Sequence, residues 1–389
     1  MKPIPLSIPC MLGNEARYLA ECVETNWVSS RGPFVDRFEQ MLAAATGTRY
    51  AVACVNGTAA LHVALLVAGV EPDDEVLVSD LTFVASANAV RYCGAWPVLI
   101  DAEPEYWQMD PQKLSDFLER ECRSSNGGLV NRTSGRRIRA IMPVHILGHP
   151  CEMNAIAGLA RRYGLKIVAD AAEAVGTLYE GKPAASFADV AALSFNGNKI
   201  VTAGGGGAVV THDETLADRA RYLTTQAKDD ALESVHGAIG FNYRLTNIQA
   251  ALGVAQLEKL DVALESKRLT AEFYDRVLST LPVVRPRESA SARSSWWLYT
   301  VLVHEASGGV DRLGLMKALA AEEIETRPLW RPVSQQPPFA DCQAYRCEVS
   351  PDLHRRSLSL PCSVGIAADD LARIAGVMKR VLSANRVTA

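Results

Sequence analysis

Between Tyr50 and Thr211 the chain alternates short β-rich runs with stretches of helical spacing, and that alternation limits the fold more than any other feature. The runs are Tyr50–Val55, Glu75–Val78, Pro97–Ile100, Ile138–His145, Lys166–Ala169, Val190–Phe195 and Ala208–Thr211. Amphipathic stretches such as Thr58–Ala68, Pro111–Arg123 and Asn154–Tyr163 lie between them. The pattern predicts an α/β fold with a mainly parallel, seven-stranded sheet sandwiched by helices. After Thr246 it changes. A long helical stretch covers Asn247–Leu278 with a break near Ala263, and a smaller α+β segment follows. Strands are expected there near Leu298–Val303 and Ile324–Arg327, with a terminal helix near Asp369–Leu382. Arg285–Ser295 and Pro328–Pro338 read as loops. The expected division is a large domain over 1–255 and a small one over 256–389, with the N-terminal segment, about 1–30, packed on the small domain.

Bulk properties exclude several functions. A chain of 389 residues, 48% hydrophobic and 22% charged, can build one large core and a smaller one. A net charge of −4 without a basic block gives no electrostatic case for nucleic acid. No apolar run reaches membrane-spanning length, and the first residues lack an apolar signal core. Nine cysteines without a Cys-x-x-Cys pair suggest reduced thiols in a cytoplasmic protein, not a disulfide framework or zinc site. His145 and His149 have metal-ligand spacing, but Gly148 and Pro150 oppose a helix and no Glu follows His145, so no metal is expected.

Polar residues cluster just after the predicted strands, where ligands bind in open α/β sheets. Lys199 ends the polar stretch Ser194–Lys199 that follows one strand, and Gly204–Gly207 come soon after. A lysine fixed and desolvated there can form a Schiff base with an aldehyde cofactor, whereas an exposed one stays protonated. Asp170 ends the strand starting at Lys166, 29 residues before Lys199. Pyridoxal phosphate needs an acid there to keep its pyridine nitrogen protonated. Asn56-Gly57-Thr58 joins a strand to a helix and offers either a phosphate cradle or an ordinary N-cap. Neither a P-loop nor a dinucleotide fingerprint competes.

Ordered segments along nearly the whole chain resemble the DegT/DnrJ/StrS family of sugar aminotransferases, pyridoxal-phosphate enzymes of fold type I. They are Gly13–Glu15, Trp27–Val35, Val55–His62, Asp80–Phe83, Trp107–Asp110, Asp170–Gly176, Ser194–Lys199 and Gly240–Ala250. The resemblance implies Lys199 as the Schiff-base lysine and Asp170 as the partner of the pyridine nitrogen. Phe83 falls where a ring stacks on the cofactor, with a core aromatic as the alternative. Gly57, Thr58 and Ser194 correspond to phosphate ligands, and Asn56 and Asn198 complete the expected cofactor set. Asn242 matches an asparagine that reaches the neighbouring subunit's cofactor phosphate, which implies a homodimer with shared active sites. Glu173 replaces a frequent glutamine, and glutamate occurs in the branch resembling perosamine and related 4-amino-sugar synthases. Beside the cofactor's phenolic oxygen, a protonated carboxyl or a hydrogen-bonded arrangement would be favoured.

The implied reaction is ping-pong transamination from glutamate, through pyridoxamine phosphate, to a keto group on a nucleotide-linked 6-deoxy sugar. Trp27–Val35, Trp107–Asp110 and Arg327–Trp330 look most like the branch making UDP-linked 4-amino-4,6-dideoxy-N-acetylhexosamines, as in legionaminic acid or bacillosamine routes. The expected acceptor is therefore UDP-linked 4-keto-6-deoxy-GlcNAc, with a GDP-perosamine-type or 3-keto-sugar aminotransferase as the alternative. A catalytically silent scaffold of the same fold is the third reading. Arg327, Trp330 and Arg331 are candidates for diphosphate or base, against a solvated Pro-rich loop. Trp27, His145, His236 and Arg244 are sugar-site candidates, with a satisfied structural residue as the alternative for His145.

Overall fold

The computed structural model describes residues 2–125, 127–230, 232–304 and 310–383. Its large sheet contains β1 (Tyr50–Cys54), β2 (Glu75–Ser79), β3 (Trp96–Ile100), β4 (Arg137–Met142), β5 (Lys166–Asp170), β6 (Val190–Ser194) and β7 (Gly207–Thr211). The spatial order is β1-β7-β6-β5-β4-β2-β3. Of these only β7 runs against its neighbours, pairing antiparallel with both β1 and β6. Three short additions bring the sheet to ten strands: the hairpin Cys122–Ser125/Gly128–Asn131 beside β4, and Ala344–Tyr345 parallel to β3. The predicted run Ile138–His145 stops at Met142 as a strand because Pro143 has no N–H for the ladder.

Each strand splits its side chains between two faces. Ala51, Ala53 and Leu77 join the cluster under helices Pro33–Thr46, Pro111–Arg120, Met153–Tyr163 and Asn247–Leu257. Val52, Cys54, Val76 and Val78 face helices Gly57–Val67, Ala85–Tyr92 and Glu214–Thr224. Strands apolar on both faces thus follow from the helices that cross between them. The helical stretch after Thr246 breaks at Glu258–Lys259, not near Ala263, giving Asn247–Leu257 and Leu260–Val277.

The second, smaller sheet holds β8 (Val283–Val284), β9 (Tyr299–Val303) and β10 (Ser357–Leu360), all antiparallel with β9 central. Ile324–Arg327, expected as a strand, makes isolated bridges only. Ile324 pairs with Ile4 and Arg327 with Ser359, and Pro328 ends the segment. Ile4 exchanges backbone hydrogen bonds with Glu323 and Glu325 and is buried in the small cluster with Tyr274, Leu319 and Met378. Among the described residues, no helix is long and apolar enough to cross a membrane.

One packing contact ties the fold to the lysine loop. Phe38 lies edge-on to Phe195, with centroids 5.0 Å apart, and Phe195 follows Ser194 at the head of that loop. A Cβ on Gly253 would sit 2.5 Å from the Phe38 ring. Gly253→Ala is expected to overpack this junction, costing about 1–3 kcal/mol in urea denaturation.

Candidate active site

Beyond the carboxyl ends of β1, β4, β5 and β6, four polar groups meet around two buried carboxyls. Asp170 is the last residue of β5, between parallel neighbours, and is 5% exposed. Its Oδ2 accepts from the Ser86 hydroxyl at 2.7 Å, and its Oδ1 accepts from the Ala172 amide at 3.1 Å. Burial raises its pKa, while these hydrogen bonds and the Lys199 charge oppose the rise. Ser86 belongs to helix Ala85–Tyr92, close after Phe83.

Lys199 lies in the loop after β6 and its side chain is 13% exposed. Its Nζ donates to Glu173 Oε1 at 3.3 Å. The other Glu173 oxygen accepts from the Leu147 amide at 2.7 Å. Burial is the main cause that pushes the Glu173 carboxyl up to about 7, against the lowering effects of Lys199 and the Leu147 amide. Leu147 has φ +60°, an uncommon value for leucine, which sits in the chain turn that follows β4. The turn delivers that amide to Glu173, so the backbone strain lies at the site itself.

The Asn56-Gly57-Thr58 turn opens a helix. Asn56 caps helix Gly57–Val67, its Oδ1 accepting from the Ala59 amide at 2.8 Å. Gly57 and Thr58 therefore head the helix, where amides favour an anion. A Cβ on Gly57 would approach Ser194 Cβ to 2.7 Å. Only glycine lets the helix terminus come this close to Ser194, at the end of β6. A buried acid, a lysine set between strand ends and a glycine-lined helix terminus fit pyridoxal phosphate.

Other predicted residues fall differently. Phe83 is 55% exposed, so it is not a core aromatic, and its backbone carbonyl accepts from the Ser86 hydroxyl at 3.4 Å. Asn198 is exposed, and its carbonyl accepts from the Trp297 indole N–H at 2.8 Å. Asn242 is exposed between Phe241 and Tyr243, whose rings both pack on His62. Arg244 is half-buried in a separate 430 Å³ cavity with Arg31, Arg221 and Glu39. Burial first, then the Arg31 and Arg221 charges, lower its pKa. His236 is exposed and its Nδ1 contacts the Gln226 carbonyl at 2.7 Å. Trp27 is 49% exposed. Arg327 pairs with Glu325 at 2.9 Å, and Arg331 is exposed.

His145 is fully buried, and its Nδ1 accepts from the Cys151 amide at 3.1 Å. Desolvation lowers its pKa to about 4. Its Nε2 is buried without a hydrogen-bond partner among the described residues. Three residues escaped the sequence reading. Ser86 holds Asp170, the Leu147 amide holds Glu173, and Trp297 lies under Lys199, its ring centroid 3.8 Å from Nζ. Trp330 stacks on Trp297 with centroids 6.2 Å apart, which brings one predicted nucleotide contact to the lysine's wall.

Size alone would misplace the site. A cavity of 1140 Å³ along helix Leu260–Val277 includes neither Asp170 nor Lys199, and its lining lacks a comparable set of buried titratable groups. Among the described residues, buried Asp80 and Asp101 and half-buried Cys347 bring their ligand atoms within 4.8 Å of one another. Asp101 already accepts from Lys113 Nζ, the Ser350 hydroxyl and the amides of Val349 and Ser350, so it serves as the cap of helix Val349–Arg356.

Comparison with known proteins defines the class. Residues 9–379 match the DegT/DnrJ/EryC1/StrS aminotransferase family. The chain belongs to that family, and its enzyme class is the pyridoxal-phosphate-dependent aminotransferases. It is 39% identical over 381 residues to a GDP-perosamine synthase of Caulobacter vibrioides, covering 97% of this chain and 98% of the relative. It is 38% identical over 361 residues to a GDP-perosamine synthase of Escherichia coli O157:H7, covering 93% of each. A crystal structure of a DegT DnrJ EryC1 StrS aminotransferase from Brucella abortus superposes with a TM-score of 0.87, at 29% identity and 95% coverage of both chains.

Two outcomes are expected. Ser86→Ala leaves an Asp170 oxygen without its donor and weakens pyridoxal phosphate binding about tenfold or more, measured by equilibrium titration. For the cofactor-free protein the sign follows from proton counting. Glu173 has a raised folded pKa, so the folded state holds its proton where the unfolded state has released it. Between about pH 4.5 and 7 the Glu173 carboxyl therefore lowers stability as pH rises. The stability of Glu173→Gln relative to the wild type should rise across that window in urea titrations, and a flat difference would show that Glu173 ionises normally.

Proposed function

We propose that this enzyme transfers an amino group from glutamate to the C4 keto group of a nucleotide-linked 4-keto-6-deoxy sugar, with a GDP-linked sugar as the first acceptor to test. The arrangement of Lys199 and Asp170 carries the reaction type. Both are held at strand ends, and Lys199 pairs with a carboxyl that can hold a proton. Bound there, pyridoxal phosphate supplies the carbonyl that carries the amino group and the ring that serves as electron sink.

The chain's own groups do the rest. Asp170 would hold the ring nitrogen and keep a proton on it; the Ser86 and Ala172 hydrogen bonds and the Lys199 charge favour the carboxylate that this needs, against the effect of burial. Gly57, Thr58 and Ser194 orient the phosphate. Lys199 would hold the cofactor through its Nζ and, when that amine is free, would carry a proton at the same atom. Glu173 stands 3.3 Å from that amine and balances its charge when protonated. Asn242 is assigned to the neighbouring subunit's phosphate. Leu232, Val235 and Ile239 near it are 93%, 53% and 88% exposed, an apolar set suited to a homodimer interface.

The relatives favour the GDP reading over the UDP branch: both curated relatives reported above are GDP-perosamine synthases. Trp330 and Arg331 are the residues assigned to base and diphosphate, Arg327 being partly engaged by Glu325. The test is amino transfer from glutamate to a panel of nucleotide keto sugars, read by mass spectrometry of the product. A GDP-linked 4-keto-6-deoxyhexose is expected to be aminated at least tenfold faster, by kcat/KM, than UDP-linked 4-keto-6-deoxy-GlcNAc. The reverse order would return the acceptor to the UDP branch. Amination of neither would remove the 4-keto-sugar assignment.

A further inference from the structure

Adjacent tryptophans, Trp296 and Trp297, precede β9 and go to different places. Trp296 has φ +53°, and that turn sends its ring into the small-domain cluster with Tyr299 and Leu315. Trp297 enters the cluster that links the two sheets, with Ile200, Leu298 and Leu329. There its ring lies against the free Lys199 amine, with Nζ 3.8 Å from the centroid. The indole is fixed from two sides. Its Nε1–H donates to the carbonyl of Asn198, next to the lysine, at 2.8 Å. Its ring lies parallel to Trp330, 4° apart in plane at 6.2 Å. At 4% exposure this is a desolvated cation–π contact, the stronger kind.

We propose that Trp297 is a positioning residue for Lys199: its indole face is where the lysine ammonium rests whenever the amine is not joined to the cofactor. The inference rests on the reading of Lys199 as the amine of a transaminase. In such a reaction the lysine must leave the cofactor and return to it in every half-reaction. A four-carbon stem with free rotamers would disperse the amine. Here Glu173 Oε1 and the indole face limit it to one place, and the indole is hydrogen-bonded to the same loop that carries the lysine. Trp297 thus acts through Lys199 and needs no contact with substrate.

The experiment uses the full-length, cofactor-free protein, so its outcome does not depend on transaminase activity. Acylation of Lys199 by acetic anhydride at neutral pH is followed by peptide mass spectrometry, with the chain's other lysines as internal standards. Trp297→Met fills much of the volume without a π face, and Lys199 should acylate roughly threefold faster or more as its cation loses the indole. Trp297→Phe keeps a ring and should stay near the wild-type rate. Trp330→Leu opens the same wall but leaves Trp297 held by its hydrogen bond to Asn198, and should give a clearly smaller rise than Trp297→Met. Should Trp297→Met not fold, trifluorotryptophan incorporated throughout the chain weakens the ring quadrupole at nearly constant volume and is expected to give the same rise. An unchanged Lys199 rate without the π face, or an equal rise in Trp330→Leu, would overturn the proposal. The first outcome removes the hold, and the second reduces it to access.

Discussion

A carboxylate buried at the end of a central strand is expensive, and the arrangement around Asp170 is the response to that cost. Removing such a charge from water without compensation raises its pKa or destabilises the fold. Here one oxygen takes the Ser86 hydroxyl, the other the Ala172 amide, and the Lys199 charge adds its attraction. The elements supplying these groups are themselves fixed by the sheet. Helix Ala85–Tyr92 packs between β2 and β3 in sequence, and the lysine loop leaves β6 beside β5. The order of parallel strands thus places the charges, and the chemistry depends on that order.

Glu173 is the second acid in the same space. With Asp170 it makes two carboxyls near one lysine, and burial pushes Glu173 up to about 7. Such a group holds or releases a proton near neutrality at little cost, whereas a glutamine at that position could only donate or accept a hydrogen bond. The Leu147 amide that steadies it comes from a turn in the left-handed region. Strain of this kind persists where surrounding structure enforces it, and a catalytic wall is a frequent place for it.

Much of this was legible in the sequence, for a physical reason. Strand-end positions are set by local pattern, so Asp170, Lys199 and the Asn56-Gly57-Thr58 turn could be read from the alternation of runs. Ser86 and Trp297 could not, because each reaches its partner across a long stretch of chain: Ser86 lies 84 residues from Asp170, and Trp297 lies 99 from Asn198. A strand-end position says nothing about which way a side chain turns, and the His145 ring is fully buried. Ile324–Arg327 misled because its two ends pair with different partners, Ile4 and Ser359, which local sequence does not reveal.

The central claim is that Lys199 is the amine that engages pyridoxal phosphate. The most direct measurement is to incubate the protein with pyridoxal phosphate, reduce it with borohydride and map the added mass by peptide sequencing in a mass spectrometer. This account expects one pyridoxyl phosphate per chain, carried on Lys199, with labelling lost in Lys199→Ala. A label carried chiefly by other lysines, or retained at full stoichiometry in Lys199→Ala, would contradict it.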